Sequence, residues 1–241
     1  MRLDPADLRP FLLQHATLSP ERVASFFKTG PGEYAHHDQF IGVPVPALRK
    51  VLPLLDHWDI SQIKALLASP INEERLVALL LLVRRYRGAS LESQQEIIRF
   101  YQHNLDQVNN WNLVDASAYQ LLGAFLVTQQ DRQVLLDLAE SPCVWRRRIA
   151  IVATLALIKA GDLSWTLRLA TLFFKDSHDL IHKATGWMLR EAGKQDRNAL
   201  QGFLNTHAPS MPRVMLRYAI EKLPNIARAS YLSMKPQKVY H

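Results

Sequence analysis

The stretch Val144-Trp145-Arg146-Arg147-Arg148 is followed by a run, Ile149 to Ile158, that is apolar almost throughout. A helix that is apolar nearly all round is buried in a protein core. The run is also well short of the roughly 20 residues that cross a bilayer. This stretch therefore predicts a buried helix that carries cations at its amino end.

A charged residue followed by an apolar stretch recurs along the chain. These anchors are 40, 33, 35 and 30 residues apart, and they are Arg75, Asp115, Arg148, Lys183 and Arg213. The pattern predicts pairs of a shorter and a longer helix at 59–68 and 71–87, 91–104 and 110–128, 131–139 and 143–160, 162–175 and 178–194, and 196–206 and 210–222. A period of about 30–45 residues is typical of α-solenoids of the HEAT or armadillo kind.

The predicted fold is therefore all-α, with HEAT-like helical-hairpin repeats that form a curved α-solenoid with a concave basic face. An irregular helical bundle is the alternative. The low glycine content, 9 of 241 residues, also favours helix. We predict one domain over 1–241, with irregular N-terminal helices in 1–58, regular repeats in 59–225 and a C-terminal tail in 226–241.

The amino-acid composition limits the kinds of binding partner and the cellular compartment that are expected. The 29 Lys and Arg against 22 Asp and Glu give a formal charge of +7, which suits a nucleic acid or an anionic membrane surface. A single cysteine, Cys143, excludes an internal disulfide and fits the reducing cytosol. No signal peptide or membrane span is visible, so a cytoplasmic protein is expected. No metal or cofactor is expected, because His36, His37 and His182 lack partners at ligand spacing and no phosphate-binding loop is present.

The second helix of each pair lines the concave side of a solenoid, so the five anchor residues should form a stripe. Four cations along such a surface can follow a phosphate backbone. The one carboxylate, Asp115, weakens phosphate binding where it sits. It is either a functional group or the salt-bridge partner of Arg148.

Trp111 and Asp115 are four residues apart and share one helical face. A ring and a carboxylate together can stabilise a cationic species. The alternative is an ordinary helix opening, with Asp115 favoured by the helix dipole and Trp111 packed in the core.

Two further groups are candidates for DNA binding. Three arginines, Arg147 among them, stand at a helix N-terminus and oppose its dipole, which an external anion would relieve; a solvated basic turn is the alternative. Lys183, Trp187 and Arg190 lie on one helical face with Lys194, where Trp187 either belongs to the core or packs on a sugar.

The chain resembles the AlkD-type DNA alkylation repair proteins, a family of HEAT-like-repeat DNA glycosylases. The motifs that carry the resemblance are Trp111-x-x-Val114-Asp115, Trp145-x-x-Arg148-x-Ala150 and Lys183-Ala184-x-Gly186-Trp187-x-Leu189-Arg190-Glu191. It extends over about residues 35–225. Two departures are Asn110, where relatives often carry a second tryptophan, and the proline-rich turn around Pro44.

The resemblance implies removal of cationic N3- and N7-alkylated purines from duplex DNA. It makes Asp115 the catalytic carboxylate, Trp111 and Trp187 the aromatics that flank the deoxyribose, and Arg148 the phosphate-binding arginine. We assign Arg147, Lys183, Arg190 and Arg213 to DNA binding from the basic pattern. The expected partner of this monomer is duplex DNA with alkylated bases, not a membrane. Two other functions stay open: a non-catalytic DNA-binding relative, and a scaffold that binds another protein.

Overall fold

A computed structural model of the protein describes residues 2–234. Within that range the regular elements are helical, and β-structure is limited to one isolated bridge between Gln39 and Ile71. The all-α prediction is confirmed. None of the helices in this range is both long enough and apolar enough to cross a membrane. The chain divides into two compact units, Met1–Ser117 and Ala118–His241.

The first unit is organised around one long buried helix, α5. Its helices are α1 (Pro5–Leu13), α2 (Pro20–Phe27), α3 (Val45–Val51), α4 (Ile60–Leu67), α5 (Asn72–Gly88), α6 (Leu91–His103) and α7 (Trp111–Ser117), with 3₁₀ turns at Leu52–Leu55 and Leu105–Gln107. α5 contacts α3, α4, α6 and α7. Its apolar run from Leu76 to Val83 is buried on every side, as expected for a helix without a polar face.

The start of α5 also anchors the N-terminal segment. The buried carboxylate of Glu73 accepts backbone N–H bonds from Ile41 at 3.1 Å and Gly42 at 2.9 Å. Gly42 has a φ of +78°, and a β-carbon there would lie 2.0 Å from the carbonyl oxygen of Leu18. Only glycine fits this close approach without strain, so the turn before Pro44 is fixed against α5.

The second unit contains the later helical pairs. It begins with a π-helical turn at Tyr119–Gly123 and continues with α8 (Ala124–Leu126), α9 (Val134–Ala139), α10 (Val144–Lys159), α11 (Ser164–Leu172), α12 (Asp179–Gln195), α13 (Arg197–His207), α14 (Arg213–Ala219) and α15 (Asn225–Ser233), with 3₁₀ turns at Phe173–Lys175 and Ala208–Ser210. Helices α10, α12 and α14 contact one another in order, and α9, α11 and α13 contact them. The helical-repeat prediction is confirmed, whereas the curved solenoid and its concave face stay predictions.

Ile71 holds the cap position of α5, and the Asn72 side chain donates to Asp38 at 2.8 Å. One predicted boundary differs from the structure. Residues 226–233 were assigned to the tail, but they belong to α15. Tyr231 accounts for this, because its ring is buried and its hydroxyl donates to Asn205 at 2.8 Å. The rest of the predicted tail, 235–241, lies outside the described residues. The single domain over 1–241 stays a prediction.

Close packing between α10, α12, α14 and their neighbours depends on small residues. A β-carbon added to Gly186 of α12 would lie 2.5 Å from the carbonyl oxygen of Met215 and 2.5 Å from the β-carbon of Tyr218, both in α14. Gly123 stands in the same relation to α10, where the carbonyl oxygen of Ala153 would lie at 2.2 Å. The glycine before Trp187 therefore sets how near α14 approaches α12.

The substitution Gly186→Ala is expected to destabilise the protein by about 1–3 kcal/mol, because a methyl group would push against backbone atoms of α14. Urea unfolding measures the change. Gly202→Ala in α13 is the matched control, since nothing lies within 4 Å of its added β-carbon. That control should be neutral or slightly stabilising, because alanine favours helix. Equal stability of the two variants would contradict the packing argument.

Candidate active site

Trp111 and Asp115 both lie in α7, one turn apart, as the sequence predicts. Both residues are partly exposed, whereas their neighbours Leu113 and Val114 are buried. Asp115 is therefore not a core residue. α7 buries its apolar side and leaves an aromatic ring and an acid at its surface.

Trp111 belongs to an aromatic cluster that sequence reasoning missed. Phe27 stacks on the Trp111 ring at 4.8 Å between centroids and 10° between planes. Phe40 stacks in turn on Phe27 at 4.7 Å. Phe26 meets Trp111 edge-on at 5.8 Å, and 67% of its surface is exposed. Phe27 thus covers one face of the indole and fixes the plane of the ring.

Local backbone structure presents the two phenylalanines. They are the last two residues of α2, which ends at Lys28 in the left-handed conformation with φ of 61°. The Lys28 N–H bonds the carbonyl oxygens of Ala24 and Ser25 and so closes the helix. The sequence signal that could have indicated this cluster was the adjacent aromatic pair at the end of α2. None of the residues of α2 is buried in the structure.

A buried polar network lies just before α7. The Asp38 side chain is fully buried and forms an ion pair with Arg75. The same carboxylate accepts hydrogen bonds from the side-chain amides of Asn72 at 2.8 Å and Asn110 at 2.6 Å. A buried charge is stable only when it is paired and hydrogen-bonded, and Asp38 has three such donors.

This network reaches the first residue of α7. The side-chain oxygen of Asn110 accepts the backbone N–H of Trp111 at 2.7 Å. Asn112 donates to the side-chain oxygen of Asn72 at 2.7 Å, which ties the first turn of α7 to α5. Asn110, the position where relatives often carry tryptophan, therefore connects Trp111 to Asp38.

The prediction that Arg75 belongs to an exposed basic stripe is wrong. Its side chain is 3% exposed, paired with Asp38 and bonded to the carbonyl oxygen of Ser69 at 2.8 Å. The sequence could not show this, because the carboxylate that buries Arg75 comes from a loop 37 residues earlier.

In the second unit, α12 carries Lys183, Trp187 and Arg190, all partly exposed. Lys183 pairs with Asp179 at 2.7 Å, one turn earlier on the same helix. Arg190 pairs with Glu221, and its Nε lies 3.5 Å from Glu191. These exposed pairs are weak, so both cations can exchange their partners for a phosphate at small cost.

The other predicted DNA-binding arginines have internal partners. Arg147 donates to Asp176 at 2.7 Å and to the carbonyl oxygens of Ser141 and Pro142. The carboxylate of Asp176 therefore balances the charge of Arg147, for which an anion outside the protein was expected. Buried Arg148 donates to the Leu180 carbonyl at 2.7 Å, and Arg213 donates to the Leu232 carbonyl at 2.6 Å.

The candidate residues thus fall into two groups. Trp111 and Asp115 lie in the first unit, and Trp187 lies in the second with the five predicted DNA-binding residues. Convergence of the two groups stays a prediction. Across residues 2–234, no three side chains of His, Cys, Asp or Glu gather where they could hold a metal ion.

Comparison with known proteins gives a family match and structural matches. The model of a family described as "DNA alkylation repair enzyme" matches residues 15–223. A solved structure, described as a predicted DNA alkylation repair enzyme from Enterococcus faecalis, superposes with a TM-score of 0.66 at 18% identity, over 87% of this chain and 98% of that one. No curated protein matches the sequence. At this identity the structural likeness concerns the fold.

Removal of the buried carboxylate by Asp38→Ala is expected to cost about 3–5 kcal/mol, because it leaves Arg75 charged and unpaired inside the protein. The free energy of unfolding from urea titration tests this. Asp56→Ala, which breaks an exposed pair with Arg84, is the control and should change stability little. A similar loss of stability in both variants would show that the buried Asp38 network stabilises the fold no more than an exposed ion pair does.

Proposed function

The chain belongs to the DNA alkylation repair enzyme family, and from this premise we propose that it is a DNA glycosylase. Its proposed substrates are the cationic N3- and N7-alkylated purines of duplex DNA, and its reaction is hydrolysis of their N-glycosidic bond. The observation that carries the proposal is the partly exposed pair of Trp111 and Asp115 on one turn of α7.

The charge of the substrate explains why one carboxylate is enough. Most glycosidases use two, one of which protonates the leaving group. A purine alkylated at N3 or N7 already carries a positive charge, so it departs as a neutral base without a general acid. A reaction with one catalytic carboxylate, assigned here to Asp115, matches this requirement.

Asp115 acts on the charge that develops as the bond breaks. Positive charge then moves from the base to the deoxyribose, and a carboxylate nearby stabilises this oxocarbenium-like state. The same oxygen atoms orient the water that attacks the sugar and accept its proton. The purine leaves with the bonding electron pair, and the sugar gains a hydroxyl group.

The aromatic residues add attraction for the same cation. The face of an indole ring favours a positive charge by on the order of 1–2 kcal/mol when water is excluded. Phe27 occupies one face of Trp111, so only the opposite face is left for the sugar. We propose that Trp187 supplies the second aromatic surface.

We propose DNA contact for the predicted cations, which differ in exposure and in their present partners. Lys183 and Arg190 are partly exposed on the helix that carries Trp187, and their surface ion pairs exchange readily. Arg147 and Arg213 are already engaged with acceptors inside the fold. Arg148 is buried and is proposed to hold the phosphate next to Asp115. The partner that we propose is alkylated duplex DNA bound by a monomer.

Asp115→Asn is expected to lower the rate of base release at least about tenfold while DNA affinity is kept, because loss of one well-placed electrostatic partner costs about 2.7–4 kcal/mol of barrier. Chromatography of free 7-methylguanine released from methylated duplex measures the rate. Asp7→Asn, an exposed aspartate in the first turn of α1, is the control and should release base like the wild type. Unchanged release by Asp115→Asn would refute the catalytic role. Binding without release by the wild type would instead identify a non-catalytic DNA-binding relative.

A further inference from the structure

A cavity of about 250 Å³ lies in the second unit, where the end of α12 meets the start of α13 and the turn after α14. Two leucines, Leu200 and Leu223, contribute apolar walls. The charged side chains that line it are all cationic: Arg190, Lys194, Arg197 and Lys222. Apart from Arg190, none of these has a part in the function proposed above.

The acids near this cavity do not balance its charge. Glu191 binds Lys194 at 2.8 Å, and Glu221 bridges Arg190 and Lys222. Neither acid is among the residues that line the cavity, and the charge of Arg190, followed by that of Lys222, holds the pKa of Glu221 below its ordinary value. Cations so close together repel one another, and a bound anion would offset that repulsion.

Arg190 also has an unused donor. Its Nε is buried and has no hydrogen-bond acceptor in the described part of the chain, since the nearest Glu191 oxygen is 3.5 Å away. A buried N–H without an acceptor is costly, so the position favours a ligand that brings an oxygen atom. Arginine and lysine together suit phosphate, the first with directed donors and the second as a point charge.

We propose that this cavity binds a backbone phosphate of DNA, outside the nucleotide whose base is removed. The inference rests on the proposed function for its DNA partner. Lys183, Trp187, Arg190 and Lys194 follow one another at spacings of 4, 3 and 4 residues and so share one face of α12.

The position along the helix gives the distance from the lesion. Trp187 and Lys194 are separated by seven residues, or about 10 Å along the helix axis at 1.5 Å per residue. A DNA strand rises about 3.4 Å per nucleotide, so this is about three nucleotides when strand and helix run side by side. The contact is to phosphate alone and carries no sequence preference.

The test is the salt dependence of affinity for an unmodified duplex, measured by fluorescence anisotropy between about 50 and 200 mM salt. The variant combines Lys194→Gln, Arg197→Gln and Lys222→Gln and leaves Arg190 in place. These three side chains are exposed, so the fold should survive, and thermal unfolding checks this. The slope of log affinity against log salt is expected to fall in magnitude by about 1, because one phosphate contact is lost and fewer counterions are released.

A charge-matched control combines Lys64→Gln, Arg99→Gln and Arg168→Gln, three exposed cations on α4, α6 and α11. It removes the same net charge and should keep the wild-type slope. An unchanged slope in the cavity variant, or an equal fall in both triple variants, overturns the phosphate site while DNA binding by the protein stands. Failure of the wild type to bind any duplex overturns the site together with the proposed function, and base release by Asp115→Asn tests catalysis separately.

Discussion

The ion pair between Asp38 and Arg75 is the interaction on which the candidate site depends. Both side chains are almost completely buried, so each is tolerable only because of the other and of the amides around them. Asn110 links the carboxylate to the backbone of Trp111. A buried charge in the first unit is thus hydrogen-bonded to the residue that precedes α7, and α7 carries the acid that we assign to catalysis.

Helix pattern was predictable from the sequence because it is a local property. α10 was expected at 143–160 and spans Val144–Lys159, and α12 was expected at 178–194 and spans Asp179–Gln195. Apolar periodicity and turn residues lie within the segment that they determine, so no distant partner is needed. The family resemblance was likewise carried by short motifs around Trp111 and Trp187, and the match over residues 15–223 confirms it.

Partner choice was not predictable, since it depends on residues distant in the chain. Arg75 and Arg148 stand at equivalent positions before apolar runs, so the predicted stripe gave both the same role. Asp38 and the Leu180 carbonyl distinguish them, and neither is marked in the sequence as a partner. The same holds for Phe27, whose contact with Trp111 joins positions 84 residues apart. Whether Trp187 reaches Asp115 is a question of this long-range kind and stays a prediction.

α2 has a consequence for dynamics. None of its residues is fully buried, and its aromatic contacts are made by Phe26 and Phe27 with Trp111 and Phe40. Segments with few buried contacts open locally at a small free-energy cost, well below that of global unfolding. The backbone amide protons of residues 21–27 should therefore exchange with deuterated solvent early. Since these rings contact Trp111, the amide exchange rate of α2 reports on whatever occupies the open side of that indole, without an attached probe.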